Sequence, residues 1–351
     1  MIKSKQHLAV FQAILAAALF GISSPVSKLL LEKIPPMLMA SLLYLGAGIG
    51  MLFLGLIKWS KNTKAKEAKI SKAELPFVIG MIVLDIAAPI FLMIGLTMTT
   101  ASNASLLNNF EIVATALVAL LIFKESIGKR LWVAIFFITA SSIALSISDF
   151  SSFSFSVGSI FVLFACICWG FENNCTRMMS LKDPMQIVIV KGLGSGAGSL
   201  LIAVLMNEYA SDIRYILIAM ILGFFAYGLS IFFYVTAQRQ LGAARTSAYY
   251  AVAPFIGVGL SLILYNEQIT VNFVIAVILM LFGAYYATVE KHNHKHIHEM
   301  VKHEHRHDHN DSHHNHVHEN FENGEHNHVH VHESTEHEHN HTPDMHHAHD
   351  H

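Results

Sequence analysis

The chain has 351 residues, 53% of them hydrophobic and only 14% charged. Soluble domains carry roughly 25% charged residues, so an ordinary soluble globular protein is excluded. Residues 1–289 hold 19 Lys and Arg against 12 Asp and Glu, whereas residues 290–351 hold 4 against 13 together with 23 of the 24 histidines, so the net charge of −2 describes neither part.

A helix needs roughly 20 mostly apolar residues to cross the hydrocarbon core. Ten such runs follow one another, over 8–31, 36–57, 75–97, 101–123, 131–148, 157–179, 185–206, 213–235, 243–265 and 271–289. The first follows Lys3 and Lys5 as a signal peptide would, but it continues through Pro25 and Lys28 without a small-residue cleavage pattern and reads as a retained helix. The second carries Gly46 and Gly50 and the seventh Gly194 and Gly198, small-residue faces that let helix backbones approach closely. The long segment near 58–74 is lysine-rich and has no nucleotide-binding pattern, which speaks against ATP use. Cys166, Cys168 and Cys175 all lie in the sixth run, so no disulfide framework is expected.

Cytoplasmic loops retain positive charge. With both ends inside, the inner segments carry 15 Lys and Arg and the outer ones three, Lys28, Lys33 and Arg214. This split places both termini, and the histidine-rich end, in the cytoplasm.

Shifting the chain by about 145 residues lays the first five runs over the last five. Phe20-Gly21, Lys28 and Pro35 fall on Trp169-Gly170, Arg177 and Pro184, and residues 101–126 align without a gap to 243–268, matching Ser105 with Ser247 and Glu125 with Glu267. An odd number of spans per repeat inverts the second copy, the plan of secondary transporters with a site near the midplane. The helix-ending acids in Ile122-Phe123-Lys124-Glu125 and Leu264-Tyr265-Asn266-Glu267, with Pro254 before the second, carry a resemblance to the drug/metabolite transporter superfamily, EamA type. A narrower resemblance is to EamA-type permeases that pair Asn109-Phe110-Glu111 with Glu172-Asn173-Asn174 and end in a histidine-rich tail. The sequence departs from the repeat pattern where Ile112 aligns with Pro254, so the halves are not equivalent. The expected fold is an all-α polytopic membrane protein, ten transmembrane helices as two inverted five-helix repeats over 1–148 and 149–289, with a disordered tail over 290–351.

An ionisable group inside a span is costly, by roughly 3 kcal/mol on insertion scales, and normally faces a cavity or a partner. Four groups qualify. Asp85 lies in the third run, with Pro89 one turn on to free its carbonyl. Glu111 follows Asn108 and Asn109 in the fourth, with no basic neighbour in sequence. Glu172 stands beside Asn173 in the sixth, and Lys191 in the seventh; an ion pair of Glu172 with Lys191 or Arg177 would neutralise both charges. A carboxylate in an apolar cavity can take up and release a proton near neutral pH. Glu111 and Asp85 are therefore read as substrate or proton carboxylates, and Asn108, Asn109, Glu172, Asn173 and Lys191 as polar groups of the cavity. Cys168, Glu172 and Cys175 share a helix face that could take a soft metal, though small cysteines commonly serve as packing residues. One of Tyr249 and Tyr250 is read as a cavity residue from their alignment with Leu107 and Asn108.

The tail repeats H-x-H in bursts: His292, His294, His296, His298; His303, His305, His307, His309; His314, His316, His318; and His326, His328, His330, His332. Alternate residues of an extended chain point the same way, and neutral imidazoles suit zinc, nickel or copper(II). The expected function is a secondary transporter of the inner membrane that moves a small metabolite by alternating access, coupled to protons, with a metal-binding tail. The alternatives are a divalent-metal permease for zinc, nickel or cobalt that uses the tail for loading or sensing, and a membrane metal sensor without transport. No enzymatic activity and no required cofactor are expected beyond zinc or nickel on the tail. The expected partners are a small-molecule solute, the lipid bilayer, divalent metal ions and a second copy in a homodimer, with no nucleic acid.

Overall fold

The computed structural model describes residues 2–60, 69–122, 128–149, 154–179, 182–241, 246, 249–288, 292–297, 301–307, 326–332 and 336–341. The first span is α1 (Ile2–Gly21) and α2 (Ser23–Leu30), the second α3 (Pro36–Ser60), the third α4 (Leu75–Met98), the fourth α5 (Ala101–Leu107) and α6 (Phe110–Ile122), and the fifth α7 (Lys129–Ser146). The second half supplies α8 (Val157–Arg177), α9 (Pro184–Leu205), α10 (Ile213–Gly223) continuing through a π-helical turn over Phe224–Leu229 into α11 (Ser230–Leu241), α12 (Ala253–Tyr265) and α13 (Val271–Thr288). Eight of these stretches are long and apolar enough to cross a membrane and two shorter apolar helices complete ten, so the chain is an all-α polytopic membrane protein. Leu121, Phe136 and Ile263 stand exposed on the outer surface, as lipid-facing side chains do.

Packing follows a pseudo-two-fold exchange of each span with the one five places on. Helices α3 with α9, α5 with α12 and α7 with α13 meet across the axis. The packing of α4 on α8 is matched by that of α11 on α1, and α6 on α8 by α12 on α1. The axial crossing depends on glycine: a Cβ on Gly192 would lie 2.4 Å from the Gly48 nitrogen. Gly46 and Gly50 instead receive Met220 and Phe224, while Gly194 and Gly198 receive Ile82 and Ile86 of α4.

The helix ends sort to two sides. On one side Glu208 accepts from the Met37 and Leu38 amides at 2.8 and 3.0 Å, capping α3. Glu267 there accepts from the Ala101 and Ser102 amides at 2.9 and 3.2 Å, capping α5. It thus caps a helix of the first repeat, whereas α12 itself stops at Tyr265, with Asn266 in the left-handed region at φ 48°. On the opposite side Lys182 meets Glu74 at 3.4 Å and the Ile70 amide donates to Gln186 at 3.0 Å. Glu125 lies outside the described residues.

Three spans are interrupted rather than straight. Proline removes an amide and crowds the carbonyl four residues earlier. Pro25 does so at Gly21, where α1 ends, and Pro254 does so at Tyr250, where a turn over residues 251–252 precedes α12. In the first repeat, where Ile112 replaces that proline, Asn108 and Asn109 form the turn between α5 and α6. Asparagine side chains compete for backbone hydrogen bonds and favour such turns. The two equivalent spans therefore break at aligned positions by different means.

In the tail, the described backbone of His292–Ile297 pairs antiparallel with Glu336–His341, and that of Val301–His307 with His326–His332. His298, His309, His314, His316 and His318 lie outside the described residues.

Candidate functional site

Buried charge converges where the two repeats face each other. Lys191 on α9 places its Nζ 3.0 Å from Asp85 Oδ2 on α4 and 3.0 Å from Glu172 Oε1 on α8. The expected Glu172–Lys191 pair is present, and Asp85 joins it from the other repeat. All three residues are buried, Asp85 completely. Tyr44 on α3 donates to Asp85 Oδ1 at 2.8 Å, and Thr176, one turn beyond Glu172, donates to Glu172 Oε1.

Glu111 lies on α6 beside this group. Asn173 donates to Glu111 Oε1 at 2.6 Å and to Thr115 Oγ1 at 3.1 Å, so the side chain next to Glu172 on α8 holds the third carboxylate. Glu172 and Lys191 lie within electrostatic reach of Glu111, as do Cys166, Tyr227 and Tyr250. Two carboxylates, from α4 and α8, thus hold one lysine while a third, from α6, stands within electrostatic reach, an arrangement that can hold a proton.

Asn108 and Asn109 sit at the helix break two and three positions before Glu111, both buried, and the Asn108 amide donates to Ser24 Oγ at 3.4 Å. Beside them lies a pocket of about 10 Å³ lined by Phe20, Gly21, Ser24, Ser105, Asn108 and the start of α12. Of the two tyrosines, Tyr250 packs against Phe20 and Tyr234, with ring centroids 5.8 and 4.9 Å apart. Tyr227, in the π-helical turn, accepts from Ser23 Oγ at 3.1 Å and packs on Tyr44 at 5.3 Å. Among the described residues no group of three His, Cys, Asp or Glu is arranged to hold a metal ion, the Cys168, Glu172 and Cys175 face included.

Sequence reasoning missed Tyr44, Thr115, Thr176 and Tyr227. The threonines were within reach, because each stands four residues after a glutamate inside a span and such pairs meet on a helix. Tyr44 and Tyr227 carried no such signal, since their partners belong to distant spans.

Two interlocked five-helix units around a buried charged centre define a membrane transporter of the repeat type. The chain matches the EamA-like transporter family twice, over residues 7–147 and 156–289, and belongs to it. It is 26% identical over 288 residues to an "Uncharacterized transporter" of Methanothermobacter thermautotrophicus, covering 78% of this chain and 83% of that protein. A second relative, "Uncharacterized transporter YyaM" of Bacillus subtilis, is 21% identical over 227 residues, 62% of this chain and 74% of that one. A solved crystal structure with 16% identity superposes with a TM-score of 0.58 over 80% of this chain and 96% of its own, a likeness of fold.

Proposed function

We propose that this transporter moves a small metabolite across the inner (plasma) membrane by proton-coupled alternating access, with both termini cytoplasmic. The observation that carries the reading is the buried Asp85–Lys191–Glu172 group at the interface of the repeats, with the half-buried Glu111 carboxylate held beside it by Asn173. Asp85–Lys191 links α4 of the first repeat to α9 of the second, whereas Glu172–Lys191 stays within the second. A proton on Asp85 leaves Lys191 to Glu172 and dissolves the link between repeats. Glu111, held by Asn173, is the carboxylate that exchanges a proton or meets the solute, with Asn108 and Asn109 beside it.

The tail is read as a zinc- or nickel-binding regulator, and no cofactor is required for transport. Its pairing register supports this, because His294 lies opposite His339, His296 opposite His337, His303 opposite His330 and His305 opposite His328.

Thermal unfolding of the full chain and of a chain ended after residue 289, measured across metabolites and divalent metals, tests the solute. Ligand at 100 times its Kd stabilises the folded state by about 2.7 kcal/mol. At least one metabolite should stabilise both proteins, and metals should stabilise only the full chain. Metals acting on the shortened chain, with every metabolite silent, would make metal the cargo.

The orientation rests on the 15 to 3 charge split. A reporter active only in the cytoplasm should work when fused after residue 289 and fail in the loop at 207–212. The reverse pattern overturns the topology and puts the tail outside.

A further inference from the structure

Buried polar atoms nearly always have a hydrogen-bond partner, protein or water, because an unmade bond costs the full desolvation of the group. Among the described residues, five buried side-chain atoms of the first and fourth spans lack a protein hydrogen bond: Ser27 Oγ, Ser102 Oγ, Ser105 Oγ, Asn108 Oδ1 and Asn109 Nδ2. All five residues are at least nine-tenths buried. Their order is not random. Ser24, Ser27 and Lys28 stand at i, i+3 and i+4 on α2, and Ser102 and Ser105 at i and i+3 on α5 with Asn108 and Asn109 in the turn that follows, so each segment presents a run of polar groups.

The runs have a cavity at each end. At the inner end is the pocket of about 10 Å³ lined by Ser24, Ser105 and Asn108, room for a single water with three polar partners. At the other end, on the side opposite the termini, Lys28, Thr97, Thr100, Asn103, Thr270 and Asn272 line a pocket of about 490 Å³. Lys28 marks the junction: its ammonium donates to the Leu96 carbonyl at 2.7 Å and to that of Thr99, while Ser27 precedes it on α2. Helix α12 closes the third wall without supplying side-chain bulk, since a Cβ on Gly257 would fall 2.7 Å from Ser105 Oγ.

We propose that α2, α5 and α12 enclose a narrow file of water that joins the far-side pocket to Asn108 and Asn109, and through them to the Glu111 carboxylate. The hydroxyls of Ser27, Ser102 and Ser105 and the asparagine amides are its wall, and each water finds there the two or more polar partners it requires. The file is the route by which protons from the far side reach the buried carboxylates while the solute path is shut. No covalent step is involved; protons pass between hydrogen-bonded oxygens and end on a carboxylate. This rests on the reading of Glu111 as the exchanging group, but the hydration of the seam stands or falls separately.

Silver ion, small enough for a one-water passage and reactive with thiols, is the probe. Ser102→Cys, Ser105→Cys and Ser141→Cys are each introduced into the full chain and exposed to silver nitrate in chloride-free sealed vesicles of both orientations. The surviving thiol at each position is then counted by maleimide labelling after denaturation and peptide mass analysis. Ser141 is the dry reference, buried between α7 and α13 with its hydroxyl bonded to the Ala276 carbonyl at 2.7 Å. The expected result is loss of the thiol at positions 102 and 105, from the side opposite the termini, while position 141 keeps its own. Survival at 102 and 105, equal loss at all three positions, or loss only from the side of the termini overturns the proposal. If the seam reacts as expected but Glu111→Gln leaves the pH dependence of transport unchanged, the file is real and the carboxylate assignment is the part that fails.

Discussion

Lys191→Met should cost the folded protein about 3–5 kcal/mol, the usual effect of removing one partner from a buried ion pair. The loss comes less from the missing bonds than from what stays behind. Asp85 and Glu172, both buried and both within 3.0 Å of the ammonium, would face each other with no cation between them. Their remaining donors are Tyr44 and Thr176, one hydroxyl each. Neutralising the carboxylates in the same chain, as Lys191→Met with Asp85→Asn and Glu172→Gln, should recover most of the stability, because a buried charge group replaced as a whole is often tolerated. Thermal unfolding and the yield of monodisperse protein after solubilisation measure both. A single Lys191→Met variant as stable as the parent would mean that the lysine is not compensating buried charge, and absence of rescue in the triple variant would assign the damage to packing.

The legibility of this centre from sequence follows how far apart its members lie. Each of the four intramembrane charges could be found from a single span, since an ionisable residue in an apolar run is conspicuous by its cost. Lys191 could be matched with Glu172 because successive spans are usual neighbours. Its second partner could not. Asp85 belongs to the opposite repeat, and only the packing of α4 against both α8 and α9 brings it to the same ammonium. The repeat was readable from landmark spacing, yet its consequence for contacts depends on which helices meet across the axis.

Local helix geometry shows a similar divide. Proline at 25 and 254 announces the interruptions at Gly21 and Tyr250 by a rule that acts four residues back. The turn at Asn108–Asn109 has no such marker, and as a sequence it reads as a polar stripe on a continuous helix. The mismatch of Ile112 with Pro254 suggested unlike halves, but the aligned spans break at corresponding positions. Glu267 gives a further case. Near the end of its helix it looks like a terminal acid, whereas its oxygens cap α5 of the other repeat, where a carboxylate meets unpaired amides and the positive end of the helix dipole.

Glu111→Gln should keep the protein folded while abolishing proton-driven accumulation. The amide retains the size of the side chain and an oxygen that can accept the bond Asn173 now donates at 2.6 Å, so the α6–α8 contact survives. What it cannot do is bind and release a proton. For one proton per solute, a gradient of one pH unit stores about 1.36 kcal/mol and supports roughly tenfold accumulation. In proteoliposomes loaded with a metabolite identified by thermal stabilisation, the parent should reach that accumulation and Glu111→Gln should stop at equal concentrations on the two sides. Exchange of labelled for unlabelled solute should persist in the variant, because it needs the binding site and the conformational change but no net proton movement. Asp85→Asn should differ, since it also removes an ionic link of Lys191 between the repeats and so disturbs the exchange itself. Accumulation by Glu111→Gln equal to the parent's at every pH would take Glu111 out of the coupling mechanism and leave Asp85, with its shared lysine, as the carboxylate on which proton coupling turns.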